Sequence, residues 1–103
     1  MIGIISALFG INKIDFRKLV EEGAIVIDVR SPGEFKSGHI EKSKNIPLNQ
    51  LNSTWSKIPK DKTIITCCAS GVRSAQAKSI LFSNGIEKVV NGGGWRSLES
   101  KIR

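Results

Sequence analysis

The chain has 103 residues and a formal charge of +7, from 16 Lys and Arg against 9 Asp and Glu. This length fits a single domain that buries roughly 60–70% of its unfolded surface, so its core needs no disulfide scaffold. The only two cysteines are adjacent, which excludes a disulfide framework and predicts two free thiols in a reducing, cytoplasmic compartment. The basic residues are scattered, which favours a merely solvated surface first, then attraction of small anions, and disfavours binding of nucleic acid.

The first segment of the chain is an apolar run, Ile2 to Phe9. A secretory signal requires Lys or Arg before its apolar run, and none precedes this one. The run is also shorter than the about 20 apolar residues that span a membrane. We therefore predict an apolar arm or short helix over residues 1–12, packed on one domain over residues 13–103. Contact of this arm with a membrane surface is the alternative.

The next segments alternate between helix and strand. Asp15 is a suitable N-cap for a helix over Phe16 to Glu22, and Gly23 ends it. Ala24 to Val29 is short, apolar and β-branched, which is typical of a strand buried on both faces of a parallel sheet. Three elements are predicted after it: a short helix from Pro32 to Lys36, a strand at Asn45-Ile46, and a helix from Pro47 to Trp55.

The second half of the chain repeats this alternation. Thr63 to Cys67 is a second buried strand and Ser74 to Ser83 a helix. A third strand at Val89-Val90, a flexible turn at Gly92-Gly93-Gly94 and a terminal helix from Trp95 to Ile102 complete the pattern. It predicts a single three-layer α/β domain with a central, mostly parallel sheet and helices on both faces.

Cys68 lies where the second buried strand ends, the edge at which parallel sheets collect ligands. The N–H groups of the five residues after it can surround its sulfur, and the following helix adds its positive end. These residues are Ala69, Ser70, Gly71, Val72 and Arg73. Such surroundings lower the pKa of a thiol and favour the nucleophilic thiolate, and Arg73 would offer a fixed charge to an anionic substrate. The alternative is a buried apolar cysteine that only ends a strand.

Five motifs in order, over about residues 14 to 100, resemble the rhodanese-like domain family, specifically its small single-domain members. Its Cys-x-x-Gly-x-Arg-Ser loop matches Cys68, Gly71, Arg73 and Ser74. The others are Asp28-Val29-Arg30, Glu34-Phe35 with Gly38-His39-Ile40, Asn45-Ile46-Pro47, and Gly92-Gly93 with Trp95 at a shortened spacing.

The resemblance implies a sulfurtransferase. The Cys68 thiolate would take the sulfane sulfur of a small anionic donor such as thiosulfate and pass it, as a persulfide, to a thiol, cyanide or a sulfur-carrying protein. No metal or cofactor is implied. The alternative is a protein-to-protein sulfur relay or a regulatory binding module with little activity on small donors. Phosphatases with a cysteine nucleophile place their arginine sixth after the cysteine, whereas Arg73 is fifth, which disfavours phosphate.

Several other residues admit a structural or a functional role. Asp28, Arg30 and Ser74 are candidates for a supporting role at the site. For Asp28 and Arg30 we favour a structural role instead, in an ion pair such as Arg30 with Glu34. His39 is a candidate base for Cys68, but the resemblance implies a scaffold residue of a surface loop, and a thiolate held by N–H groups needs no base. Cys67 is expected to pack on the face of the sheet opposite to Cys68, and the open alternative is a thiol that resolves the Cys68 persulfide. Because the two cysteines point to opposite faces, a metal site built from them and His39 is disfavoured. Trp55 and Trp95 are expected in the core or at its rim.

Overall fold

The structure, a computed structural model, describes residues 13–103, so the arm predicted over residues 1–12 lies outside it. Within these residues, four strands alternate with helices. None of the helices within the described residues is long and apolar enough to cross a membrane. The elements are α1 (Phe16–Glu21), β1 (Ile25–Asp28), α2 (Pro32–Ser37), β2 (Lys44–Asn45), α3 (Leu51–Thr54), β3 (Ile64–Cys68), α4 (Val72–Ser83), β4 (Val89–Gly94) and α5 (Trp95–Ile102).

All four strands are parallel and lie in the order β2-β1-β3-β4. Side chains alternate between the two faces along each strand, so both faces carry a core. One core packs under α3 and α4, and the other under α1 and α5. The first includes Ile27, Val29, Leu51, Ile64, Cys68, Ala77 and Leu81, and the second Phe16, Val26, Ile65, Cys67 and Leu98. The predicted three-layer α/β fold is therefore confirmed.

The helix predicted from Pro47 to Trp55 is wrong as a single element. A 3₁₀ turn over Leu48–Gln50, the short α3 and a second 3₁₀ turn over Trp55–Lys57 take its place. The hydroxyls of Ser53 and Thr54 both donate to the Gln50 carbonyl at 2.9 Å. Such bonds from side chain to backbone compete with a regular helix, which explains the interruption.

The flexible turn predicted at Gly92-Gly93-Gly94 is also wrong, because all three glycines belong to β4. The register moves from Thr66 opposite Asn91 to Cys68 opposite Gly94, so β4 contains one extra residue, a β-bulge. A Cβ on Gly92 would lie 2.8 Å from side-chain carbons of both Ile65 and Leu98. Glycine is thus required here by close packing of the strand rather than by a turn.

Candidate active site

The chain reverses direction tightly between β3 and α4. Cys68 is the last residue of β3, and α4 begins at Val72, two residues earlier than the predicted Ser74. Only residues 69–71 form the loop, while Arg73 and Ser74 lie in the first turn of the helix. Gly71 adopts a φ of +105°, a conformation that favours glycine, and this allows the early helix start.

The sulfur of Cys68 faces this first turn and lies within hydrogen-bonding distance of polar groups of Gly71 and Ser74. The backbone N–H of Gly71 donates to Sγ at 3.0 Å and that of Ser74 at 3.3 Å. The Ser74 hydroxyl oxygen lies 3.4 Å from Sγ and accepts from the thiol. The arrangement is the anion-binding cradle expected of a loop at a helix N-terminus.

These contacts decide the protonation of Cys68. The residue is 1% exposed, and burial by itself raises the pKa of a thiol. Hydrogen bonding with the Ser74 hydroxyl, and hydrogen bonds from the N–H groups of Ser74, Gly71 and Ser70, act in the opposite direction. Together they hold the pKa of Cys68 below its ordinary value, which favours a thiolate nucleophile.

The Ser74 hydroxyl belongs to a wider network that reaches β4. Ser74 Oγ donates to Asn91 Oδ1 at 2.6 Å, and Asn91 Nδ2 donates to the Gly71 carbonyl at 3.2 Å. Ser74 is fully buried. The contact between Ser74 Oγ and Cys68 Sγ is consistent with the supporting role predicted for Ser74. Asn91 was missed, because it belongs to none of the motifs and reaches the loop only through the β4 pairing.

Arg73 does not stand free at the site. Its guanidinium forms two hydrogen bonds to the Glu34 carboxylate, at 2.7 and 3.0 Å. Glu34 also accepts from the Ser31 N–H at the start of α2. These partners, Arg73 first, lower the pKa of Glu34 to about 2. The charge that we expected Arg73 to offer to an anionic substrate is therefore balanced by Glu34.

The ion pair predicted between Arg30 and Glu34 is wrong, because the Arg30 guanidinium pairs with Asp28 instead. Arg30 Nη2 lies 2.7 Å from Asp28 Oδ2, and both side chains are buried. The same guanidinium donates to the carbonyls of Glu34 and Gly38 and lies 4.8 Å from the centre of the Trp95 ring. The pair ties the end of β1 to the α2 segment, which matches the structural role favoured for Asp28 and Arg30.

Cys67 points away from the site, as predicted, and packs in the core on the opposite face of the sheet. Burial, with a contribution from Asp28, raises the pKa of Cys67 to about 12. A buried thiol with this pKa on the other face is poorly placed to resolve a persulfide on Cys68.

His39 stacks on Phe35 and its Nδ1 contacts the Phe35 carbonyl at 2.7 Å, in agreement with a scaffold role. Within residues 13–103, no three His, Cys, Asp or Glu side chains are grouped to hold a metal ion.

A cysteine held by N–H groups at the carboxyl edge of a parallel sheet defines a class of α/β protein with a thiolate site. Within that class, the model of the Rhodanese-like domain family matches residues 13–101. The chain belongs to this family.

Individual relatives agree with this assignment. The uncharacterized protein YqhL of Bacillus subtilis is 41% identical over 81 residues, which are 78% of this chain and 64% of that protein. The chain thus spans just under two thirds of that relative. The thiosulfate sulfurtransferase PspE of Escherichia coli is 35% identical over 74 residues, 70% of this chain and 71% of that protein. The human single-domain sulfurtransferase TSTD1 is 29% identical with a TM-score of 0.70, over 82% of this chain and 89% of that structure.

Proposed function

We propose that this chain is a sulfurtransferase that carries sulfane sulfur as a persulfide on Cys68. The observation that carries the proposal is the set of hydrogen bonds at Sγ, from Gly71 N–H and Ser74 N–H with the Ser74 hydroxyl beside them. They favour a thiolate in a buried position, and a thiolate is the nucleophile that sulfur transfer requires. Relatives named as sulfurtransferases support the same chemistry.

The reaction has two balanced steps. After the thiol loses its proton to solvent, Sγ attacks the sulfane sulfur of a donor such as thiosulfate. The sulfur–sulfur bond of the donor breaks, its electron pair leaves with sulfite, and Cys68 becomes a persulfide. An acceptor thiolate or cyanide then attacks the outer sulfur, the new sulfur–sulfur bond breaks, and the electron pair returns to Sγ.

The residues around Cys68 divide these tasks. Gly71 N–H and Ser74 N–H hold negative charge at the sulfur, and Gly71 supplies the backbone conformation that places them there. Arg73, through its pair with Glu34, fastens the first turn of α4 to α2. In this assignment, Arg73 positions the loop and is not a free anion-binding charge.

Intact-protein mass spectrometry after thiosulfate treatment tests the proposal. The wild-type protein should gain one sulfur atom and lose it to cyanide. Cys68→Ser should gain none, whereas Cys67→Ala, the matched control at the neighbouring thiol, should load like the wild type. If Cys68 reacts with iodoacetamide but takes no sulfur from thiosulfate, the enzymatic proposal fails. A gain on Cys67 would reverse the roles of the two cysteines.

Val72 favours a second candidate, a relay module that takes sulfur from a protein donor. This apolar side chain is 66% exposed beside the residue 69–71 loop, where a docking protein would touch it. Rapid loading of Cys68 by thiosulfate alone would support the enzyme. Loading that requires a persulfidated protein, with Cys68 still reactive toward iodoacetamide, would support the relay.

A further inference from the structure

Asn91 is the one side chain of β4 that reaches the Cys68 loop through several hydrogen bonds. It lies opposite Thr66 in the sheet, just before the β-bulge. Its Oδ1 accepts from Ser74 Oγ at 2.6 Å and from the Gly93 N–H at 2.9 Å, while its Nδ2 donates to the Gly71 carbonyl at 3.2 Å. Two of these three partners, Ser74 and Gly71, also contact Cys68 Sγ.

The backbone decides which way the Asn91 amide faces. The Gly93 N–H can only donate, so the group facing it must be the carbonyl oxygen, Oδ1. The Gly71 carbonyl can only accept, so the group facing it must be Nδ2. With Oδ1 placed on the Ser74 side, the Ser74 hydroxyl has to donate its proton to Asn91.

This donation matters because a serine hydroxyl carries one proton. While Cys68 is a thiol, its S–H can donate to the lone pair that Ser74 Oγ keeps free, and all partners are satisfied. Once Cys68 is a thiolate, Sγ becomes a second acceptor for the same hydroxyl proton. We infer that Asn91 competes with the Cys68 thiolate for the hydroxyl proton of Ser74 and thereby tunes the nucleophile. The consequence for sulfur transfer rests on the proposed function.

Asn91 Oδ1 can lose the hydrogen bond from Ser74, because it still accepts one from the Gly93 N–H. The hydroxyl can therefore turn toward Sγ on ionisation, at the cost of the short bond to Asn91. Asn91 accordingly keeps the pKa of Cys68 higher than the Ser74 hydroxyl would hold it if that hydroxyl were free. A stronger acceptor at position 91 should raise the pKa of Cys68, and a side chain without an acceptor should lower it.

The charged and titratable groups around Cys68 have their own partners. Arg73 of α4 is paired with Glu34 of α2, and Asp28 of β1 is paired with Arg30. Cys67, the neighbour on β3, packs on the opposite face. Substitutions at Asn91 leave these pairs in place, so a change in the ionisation of Cys68 reports on the hydroxyl.

The test is the pH dependence of the iodoacetamide reaction at Cys68, with the modified residue located by peptide mass. We expect Asn91→Leu and the smaller Asn91→Ala to lower the pKa of Cys68 by roughly half to one unit, the size of one hydrogen bond. Asn91→Asp keeps and strengthens the acceptor, and should raise the pKa. In a Ser74→Ala background, Asn91→Leu should leave the pKa unchanged.

Asn45→Leu is the matched control. Asn45 Nδ2 also bridges two backbone carbonyls, those of Asp28 and Arg30, at 3.0 and 2.9 Å. Its loss should lower thermal stability and leave the pKa of Cys68 unchanged. The inference is overturned if Asn91→Leu and Asn91→Ala leave the pKa of Cys68 unchanged or raise it, or if the shift persists with Ser74→Ala. Alkylation needs no sulfur donor, so this outcome is distinct from a failure of the proposed sulfur transfer.

Discussion

The thiol of Cys68 is buried, and its surroundings supply hydrogen bonds rather than an unpaired positive charge. Arg73, the nearest cation along the chain, is engaged by Glu34 in a two-bond ion pair. An arginine with its charge balanced in this way fixes geometry more than it attracts anions. At the residue scale, Glu34 therefore neutralises the charge of Arg73 and fixes the orientation of its guanidinium.

Substitution of Glu34 gives a prediction for stability against pH. The folded-state pKa of Glu34 is about 2, against an ordinary value of 4.5, so the ion pair contributes its full stabilisation above pH 4.5. That stabilisation is lost as the pH falls toward 2. Glu34→Gln should therefore be less stable than the wild type at pH 7, and the difference should disappear at acid pH. Urea denaturation at a series of pH values measures it.

Glu21→Gln is the control for this prediction. Glu21 pairs with Arg17 at 3.6 Å, and both side chains are about two-thirds exposed. Exposed pairs of this kind contribute little to stability, so Glu21→Gln should differ little from the wild type at any pH. A Glu34→Gln variant with no pH-dependent difference would show that the Arg73 pair does not stabilise the fold.

At the element scale, β4 joins the core to the site. Gly92 allows the strand to approach β3 and α5, Gly94 allows it to approach the loop backbone at Ala69, and its bulge follows Asn91 directly. Close approach at Gly92 leaves no space for a methyl group, since Ile65, Leu98 and the Thr66 carbonyl all lie within 3 Å of the Cβ position. The packing of this one strand thus determines where the polar network behind Cys68 lies.

Gly92→Ala should consequently destabilise the protein. An added methyl group in a filled core costs about 1–3 kcal/mol, because neighbours on several sides must move. Gly33→Ala is the matched control: a Cβ on Gly33, within α2, would meet nothing within 4 Å. That variant should be neutral or up to about 1 kcal/mol more stable. Urea unfolding of both measures this, and equal midpoints would contradict the packing argument.

The same elements show which parts of the secondary structure can be predicted from the sequence. The terminal helix was predicted with its observed bounds, Trp95–Ile102, and β1 to within one residue at each end. Local pattern suffices for both. It does not suffice for β4, where consecutive glycines are normally a turn signal and only contacts with Ile65 and Leu98 explain a strand.

Contacts between residues far apart in the chain are the second feature that the sequence alone does not predict. Cys68 and Gly71 could be singled out because the strand, loop and helix around them are contiguous in the sequence. The partner of Arg73 could not, since Glu34 lies 39 positions away along the chain. Asn91 is likewise brought to Ser74 by the β3–β4 pairing and carries no motif.

At the scale of the whole molecule, the formal charge of +7 is spread over a domain with a radius of gyration of 13.2 Å. The arginines nearest the site are paired, Arg73 with Glu34 and Arg30 with Asp28. The attraction of an anionic donor that the proposed function requires would then come from the summed field of the surface charges. Such a field acts over the Debye length, about 30 Å at 0.01 M salt and about 10 Å at 0.1 M.

Two reagents that differ only in charge test this field at Cys68. Iodoacetate is an anion, iodoacetamide is neutral, and both alkylate the same thiolate. Because salt screens the field of the molecule, the rate with iodoacetate relative to iodoacetamide should fall severalfold between 0.01 and 0.1 M salt. The neutral reagent alone should change little. A ratio that rises with salt would mean that the anion meets net repulsion near Sγ, and that the +7 charge does not guide anionic donors to the site.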